Sequence, residues 1–189
     1  MPESASFDPR TDNPSNCFGC AQHNPIGLRL AFEPDGGGFA TRFTLGADYE
    51  SFPGVIHGGI VATILDETLA QAVYRAGWIS AFTTGLRIRY GKPMETGVEY
   101  TARAEITRRD EHAVRASGEL LHGRDLVAAA DGTFRLLTEQ VLTERRDHLP
   151  SRLVTALRAA NQPATPPGEG PVTGPPANPP VNQTAHQGE

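Results

Sequence analysis

Residues 52–67 read FPGVIHGGIVATILDE, a Pro-Gly turn followed by the start of a long apolar segment. His57, Gly58 and Gly59 stand where the turn ends. From there, apolar side chains recur at three- and four-residue intervals through residue 76. This spacing predicts a helix over residues 58–76 with a wide apolar surface, which other parts of the chain must cover.

The predicted helix carries groups suited to acyl chemistry. Its N-terminus presents unpaired N–H groups and a partial positive charge, and glycine there lets a ligand approach the main chain. The Gly58 N–H could therefore hold a carbonyl oxygen as it becomes negative. Asp66 could act as a base or a nucleophile. An unpaired carboxylate on an apolar helix costs free energy, so its presence there favours a functional role, and a paired structural role is the alternative. His57 alone is more typical of a turn residue than of a catalyst.

Strand patterns lie on both sides of the helix. Two runs before it, at 28–32 and 39–45, flank the hairpin signal Pro-Asp-Gly-Gly-Gly at 34–38. Four alternating runs follow it, at 86–90, 98–106, 114–120 and 126–136, and their short connections favour antiparallel neighbours. The order predicts an α+β fold, with an antiparallel β-sheet wrapped around one long central helix.

Composition divides the chain into four parts. Residues 1–16 are polar and interrupted by proline, which predicts a flexible lead-in, and residues 17–138 hold the folded domain. Residues 139–161 are a charged linker, with a short helix predicted over 151–160. Residues 162–189 contain eight prolines and no aromatic residue, so we expect a disordered tail.

Length and charge restrict the possible classes of function. A chain of 189 residues suits one domain, and a net charge of −5 argues against nucleic-acid binding. No apolar run approaches the roughly 20 residues of a membrane span, and the polar N-terminus lacks a signal-peptide core. We therefore expect a cytoplasmic protein without a membrane partner. Walker and Rossmann glycine patterns are absent, so no cofactor is predicted.

The two cysteines, Cys17 and Cys20, stand in a C-x-x-C pattern close to His23. This spacing raises the possibility of zinc. A structural zinc site normally has four ligands, however, and no second Cys/His pair stands at a suitable distance. No strand–CxxC–helix pattern suggests a redox pair either. We expect a structural turn at this point and no metal.

Three segments in order carry a resemblance to a known family. They are NCFGC with NPIGL at 16–28, PGVIHGG at 53–59 and LRIRYGKP at 86–93. Together they resemble the hotdog-fold acyl-CoA thioesterases, in the phenylacetate-pathway (PaaI-like) and THEM-type branch. The resemblance covers about residues 16–137 and omits the tail. It implies a homodimer or homotetramer that hydrolyses an acyl-CoA to a free acid and coenzyme A, with coenzyme A entering only as part of the substrate.

The resemblance also implies roles for individual residues. Asp66 would be the catalytic carboxylate, and the Gly58 N–H would polarise the thioester carbonyl, with His57 and Gly59 shaping the turn around it. Thr83, ten positions before Pro93, would help place the water, and its neighbour Thr84 is the alternative. Many relatives have Asn or Gln six residues before the His. Here that position holds Ser51, whose hydroxyl is shorter.

Two further expectations follow from the residues themselves. Arg87 and Arg89 share one face of their strand and suit the phosphates of coenzyme A, although solvent-facing arginines are common on sheets. Gly58 and Asp66 are eight residues apart, about 12 Å along a helix, so one helix cannot bring both to the same reacting group. Two antiparallel helices from two chains could, which predicts sites across an interface between copies.

A non-catalytic acyl-CoA-binding hotdog module, used for sensing or assembly, is the alternative function. Asp66 and the Gly58-Gly59 helix start together favour the enzyme, because a binding module has little need for that carboxylate.

Overall fold

The computed structural model describes residues 16–76, residues 81–144 and the separate positions Ser151, Val154, Thr155 and Arg158. Two α-helices and eight strands lie wholly within residues 16–76 and 81–144. In order they are β1 Phe32–Asp35, β2 Gly38–Thr44, β3 Glu50–Phe52, β4 Val55–Ile56, α1 Gly58–Arg75, β5 Ala81–Tyr90, β6 Glu99–Arg109, β7 Ala113–His122, β8 Asp125–Leu136 and α2 Glu139–Glu144. A short 3-10 helix, Ala47–Tyr49, precedes β3.

Six of the strands form one antiparallel sheet in the order β1-β2-β6-β7-β8-β5, and α1 packs against its inner face. The predicted α+β architecture, a sheet around one long helix, is confirmed. β5 follows α1 in the chain and takes the edge position beside β8, so the helix and this edge strand are neighbours at one side of the sheet.

The sheet surface beneath α1 is built from small residues, which lets the helix lie close to the strands. Leu69 is fully buried, and its two methyl groups contact Gly118 on β7 and Gly132 on β8. A Cβ added at Gly132 would lie 3.0 Å from Leu69 and 2.9 Å from Phe134, so no larger side chain fits without displacement. These glycines fix the depth at which the helix sits in the sheet.

A β-bulge in β5 sets which of its side chains face the helix. Thr83 pairs with Phe134 and Gly85 pairs with Thr133, which leaves Thr84 as an extra residue in the ladder. An extra residue reverses the alternation of side chains along a strand. Thr83, before the bulge, therefore faces the helix, and Leu86 and Ile88, after the bulge, face the core on the same side of the sheet.

Two parts of the N-terminal half differ from the prediction. The strand predicted over 28–32 begins only at Phe32, because Arg29 has a left-handed backbone with φ 53° that interrupts the extended chain. Leu28 and Leu30 are buried nonetheless, and their N–H groups bond to the carbonyls of Phe18 and Gly19. The small antiparallel hairpin of β3 and β4 was not predicted.

Residues 1–15 of the flexible lead-in expected at 1–16 lie outside the described residues, and so does the tail at 162–189. In the linker, α2 precedes the predicted short helix, and the four described positions between 151 and 158 are helical. Arg158 forms an ion pair with Glu139 at 2.7 Å. Neither described helix is long and apolar enough to cross a bilayer.

Candidate active site

Asp66 lies in the middle of α1, opposite the start of β5. The Thr83 hydroxyl donates a 2.9 Å hydrogen bond to Asp66 Oδ1. Burial raises the pKa of the Asp66 carboxyl above its usual value; the Thr83 hydrogen bond opposes this shift, and the neighbouring Glu67 carboxylate adds to it. Asp66 Oδ2 accepts no hydrogen bond from the described residues. One carboxylate oxygen is thus held in place, and the other is available to a water or a thioester.

Thr83 reaches Asp66 because of the bulge in β5. Its hydroxyl contacts the carboxylate itself, so within this chain it orients Asp66. The neighbouring Thr84 lies on the bulge, and its hydroxyl donates to the Thr133 carbonyl at 3.1 Å. The structure therefore brings Thr83, and not Thr84, to the carboxylate.

The start of α1 is capped by His57. The ring nitrogen Nδ1 of His57 accepts a hydrogen bond from the Gly59 N–H at 2.9 Å. The backbone N–H of His57 donates to the Tyr49 carbonyl at 2.8 Å. The Gly58 N–H is left without an acceptor among the residues that the structure describes. Tyr90, at the end of β5, donates its hydroxyl to the Gly58 carbonyl at 3.1 Å. One exposed backbone donor, the Gly58 N–H, thus remains at the positive end of the helix.

The other predicted residues lie elsewhere. The Ser51 hydroxyl is exposed on β3 and lies 3.5 Å from the Val55 carbonyl within its own hairpin. Arg87 and Arg89 are exposed on the outer face of the sheet, away from α1. Arg89 pairs with Asp131 at 3.1 Å. Within one chain, the arginines and Asp66 are on opposite faces of the sheet.

An open cleft of about 550 Å³ lies on that outer face, and Arg87, Arg115, Ser117 and Asp131 contribute to its walls. The Ser117 hydroxyl and the Arg89 guanidinium both donate to Asp131, and these contacts hold the pKa of that carboxyl below its usual range. The Asp131 carboxylate therefore stays charged and is paired with Arg89, and Arg87 and Arg115 add positive charge to the walls of the cleft.

Residues 53–129, which include the helix start, Asp66 and Thr83, match the thioesterase superfamily. Over these residues the chain is similar to that superfamily. Among curated proteins, none matches the sequence.

Solved structures share the hotdog fold. One thioesterase superfamily protein is 24% identical with a TM-score of 0.56, and the match covers 59% of this chain but only 58% of that one. The phenylacetic acid degradation protein PaaI from Thermus thermophilus, solved as a mutant, is 25% identical with a TM-score of 0.54, over 58% of this chain and 95% of PaaI. A protein from Bacillus halodurans solved with CoA is 29% identical with a TM-score of 0.52, over 59% and 76% of the two chains.

Two residues near the site of this hotdog domain were missed from the sequence. Tyr90 belongs to the LRIRYGKP segment, but nothing in the strand pattern indicated that its hydroxyl would reach the Gly58 carbonyl. Glu67, next to Asp66 in the chain, is half-buried and lies against the Cys17 sulfur, which is 50 positions away in the chain.

Proposed function

We propose that this protein is an acyl-CoA thioesterase that hydrolyses the thioester of an acyl-CoA to a free carboxylic acid and coenzyme A. The observation that carries the proposal is the Asp66 carboxylate, held through one oxygen by Thr83 and raised in pKa by burial. A carboxylate in this state is a better base than an exposed one. The match of residues 53–129 to the thioesterase superfamily supports the reaction class, and the CoA in the Bacillus halodurans structure supports the substrate class.

In the proposed reaction, the Gly58 N–H binds the thioester carbonyl oxygen at the end of α1. Asp66 takes a proton from a water, the water oxygen attacks the carbonyl carbon, and the negative charge on the former carbonyl oxygen is held by the N–H. The C–S bond then breaks and coenzyme A leaves as a thiolate that takes up the proton. Direct attack by the Asp66 carboxylate, through a mixed anhydride that water then cleaves, uses the same residues.

The proposed site is formed by two chains. Gly58 and Asp66 both lie on α1, separated by about 12 Å along the axis, whereas both must come within about 3 Å of one thioester. A two-fold pairing that sets two α1 helices antiparallel brings Gly58 of each chain towards Asp66 of the other, and forms two equivalent sites.

The edge strand β5 supports such pairing. Among the described strands it has a neighbour on one side only, and it is ten residues long. Phe82 and Tyr90, near its two ends, are 39% and 56% exposed. A long edge strand with exposed aromatic side chains is a surface suited to pairing with another strand. The proposal therefore includes a homodimer or homotetramer joined through this side of the hotdog domain, and a cytoplasmic location stays an expectation from the sequence.

The phosphates of coenzyme A are proposed to lie along the outer face of the sheet near Arg87. Arg89 is engaged with Asp131, while Arg87 borders the cleft and is the better placed of the two to take a phosphate. His57 and Gly59 would build the turn around the carbonyl site through their own hydrogen bond. Ser51 and Thr84 remain outside this arrangement.

A panel of short, medium, long and aromatic acyl-CoAs tests the proposal, with free thiol measured as coenzyme A is released. We expect enzyme-dependent release from at least one class of acyl chain. Calorimetric binding of acyl-CoAs without any release of thiol above the background rate would contradict the enzyme and identify a binding module instead.

A further inference from the structure

The N-terminal loop around Cys17 and Cys20 lies directly against helix α1. The Cys20 N–H points at the Cys17 sulfur at 3.4 Å, and the Cys17 thiol lies 3.5 Å from Glu67 Oε2. The two sulfurs and a carboxylate oxygen of Glu67 all lie within 4.8 Å of one another. Three groups that can ligate a metal, two thiols and a carboxylate, therefore meet at one point, although they come from distant parts of the chain.

The dimensions of this cluster suit a small dication. A tetrahedral zinc ion with Zn–S of about 2.3 Å and Zn–O of about 2.0–2.2 Å places its ligand atoms about 3.5–3.8 Å apart. In this structure the three ligand atoms lie within 4.8 Å of one another, so they would have to approach by about 1 Å to bind the ion. Rotation of the side chains about their χ angles can supply that movement. Thiolate ligands favour zinc over magnesium or calcium.

The Glu67 carboxylate is oriented by a second residue. Gln71, one turn further along α1 and buried, donates its side-chain amide to Glu67 Oε1 at 2.9 Å. Gln71 Oε1 in turn accepts from Arg75 Nε at 3.3 Å. These contacts occupy the oxygen that faces away from the cysteines, so that Oε2 faces the two sulfurs. An outer hydrogen bond of this kind is what orients a ligating carboxylate in metal sites.

Gly19 allows the loop to approach the carboxylate. A Cβ at this position would lie 2.5 Å from Glu67 Oε2, closer than any non-bonded carbon and oxygen can stand. The C-x-x-C turn and the helix are thus in contact across the missing side chain. The turn is arranged around the Glu67 carboxylate. Its two sulfurs lie near a carboxylate oxygen, the Cys20 N–H points at one of these sulfurs, and Gly19 between them leaves room for the carboxylate.

We propose that Cys17, Cys20 and Glu67 form a zinc site with three protein ligands and a water in the fourth position. The ion would join the N-terminal loop to the middle of α1, one residue from Asp66, and would offset the negative charge of the two thiolates and the carboxylate that ligate it. Binding would therefore stabilise the folded domain. This proposal does not depend on thioesterase activity.

The direct test is a zinc titration of the tag-free full chain, reduced until two free thiols per chain are measured and then freed of metal with a chelator. Competition against a chromophoric chelator should show one tightly bound zinc per chain. Cobalt should give a thiolate-to-cobalt absorption band. Absence of stoichiometric zinc binding by the fully reduced protein would overturn the proposal, whether or not its cysteines form a disulfide once the reductant is removed.

Four variants assign the ligands. Cys20→Ser and Glu67→Gln should each weaken zinc binding by about 10²-fold or more, and Gln71→Ala by about 10–100-fold. His23→Ala is the matched control, because this exposed histidine neighbours the loop but is not in the cluster, and it should bind zinc as the wild type does. Glu67→Gln keeps the size of the side chain, so circular dichroism should show an intact fold. Unchanged zinc affinity in Glu67→Gln, or its loss in His23→Ala, would overturn the ligand set.

Discussion

The proposed two-chain site makes a quantitative prediction about mixed dimers. Asp66→Asn removes the carboxylate, and Gly58→Pro removes the N–H that would bind the carbonyl oxygen. In a dimer that contains one chain of each kind, one site receives both substitutions and is inactive. The other combines the native Asp66 of one chain with the native Gly58 of its partner and is intact.

The expected recovery follows from counting sites. Equal amounts of the two variants, unfolded together and refolded, form mixed dimers in about half of the population if pairing is random, and each mixed dimer has one intact site of two. Activity should therefore rise from near zero in each variant alone to about a quarter of the wild-type value. With unequal mixing, it should follow the product of the two fractions.

The structure indicates that Gly58→Pro will fold. Gly58 is the first residue of α1, a position where proline is favoured because its N–H has no intrahelical partner. The preceding residue must be extended, and His57 already is, with φ −60° and ψ 133°. A Cβ at Gly58 would lie 3.9 Å from Tyr90, an ordinary contact. Gly58→Ala is the matched control, since it adds the Cβ but keeps the N–H and should retain activity.

The assay is thiol release by the refolded mixtures, with oligomeric size checked by gel filtration. A mixture that stays as inactive as its components, while both variants fold and exchange subunits, would refute the shared site. Full activity of Gly58→Pro alone would refute the role of that N–H.

Three further predictions concern the same domain. In a plot of kcat/KM against pH, activity should be lost as the pH falls through the pKa of Asp66. The midpoint of this loss should lie above 3.8, the ordinary pKa of an aspartate, because burial raises the pKa of Asp66. Thr83→Val removes the bond that lowers this pKa and should move the midpoint upwards; a downward shift would contradict the assignment. Leu69→Ala should lower the free energy of unfolding, measured by urea titration, by about 2–5 kcal/mol, because Leu69 is fully buried. The control Leu126→Ala, at an exposed position, should change it by no more than about 0.5 kcal/mol. Truncation after Gln162 should leave melting temperature, oligomer size and hydrolysis unchanged, since the proline-rich tail lacks apolar periodicity; a loss of several degrees would mean that it docks on the domain.

The parts of the fold that were predictable are those with a local signal. The apolar stripe of α1 and the alternation in the four strands after it are repeated along each element, so each could be recognised from its own sequence. The hairpin of β3 and β4 has strands of three and two residues, too short for a period to show. Arg29 adopts a left-handed backbone that its residue type does not indicate.

The site divides in the same way. Asp66 and the helix start could be found because an acidic residue and a glycine pair are conspicuous on an apolar helix. Contacts that join distant segments could not: Glu67 meets Cys17 only because the N-terminal loop folds back across α1. Similarly, the hydrogen bond from Tyr90 to Gly58 depends on how β5 lies beside the helix, which no local pattern states.

The central claim is that Asp66 performs the hydrolysis of an acyl-CoA, and one comparison of rates tests it most directly. With the best substrate of the panel, kcat should fall by at least about 10²-fold in Asp66→Asn, the loss expected for a general base, while calorimetry shows substrate binding largely unchanged. Near-wild-type turnover in a correctly folded Asp66→Asn protein would contradict the account.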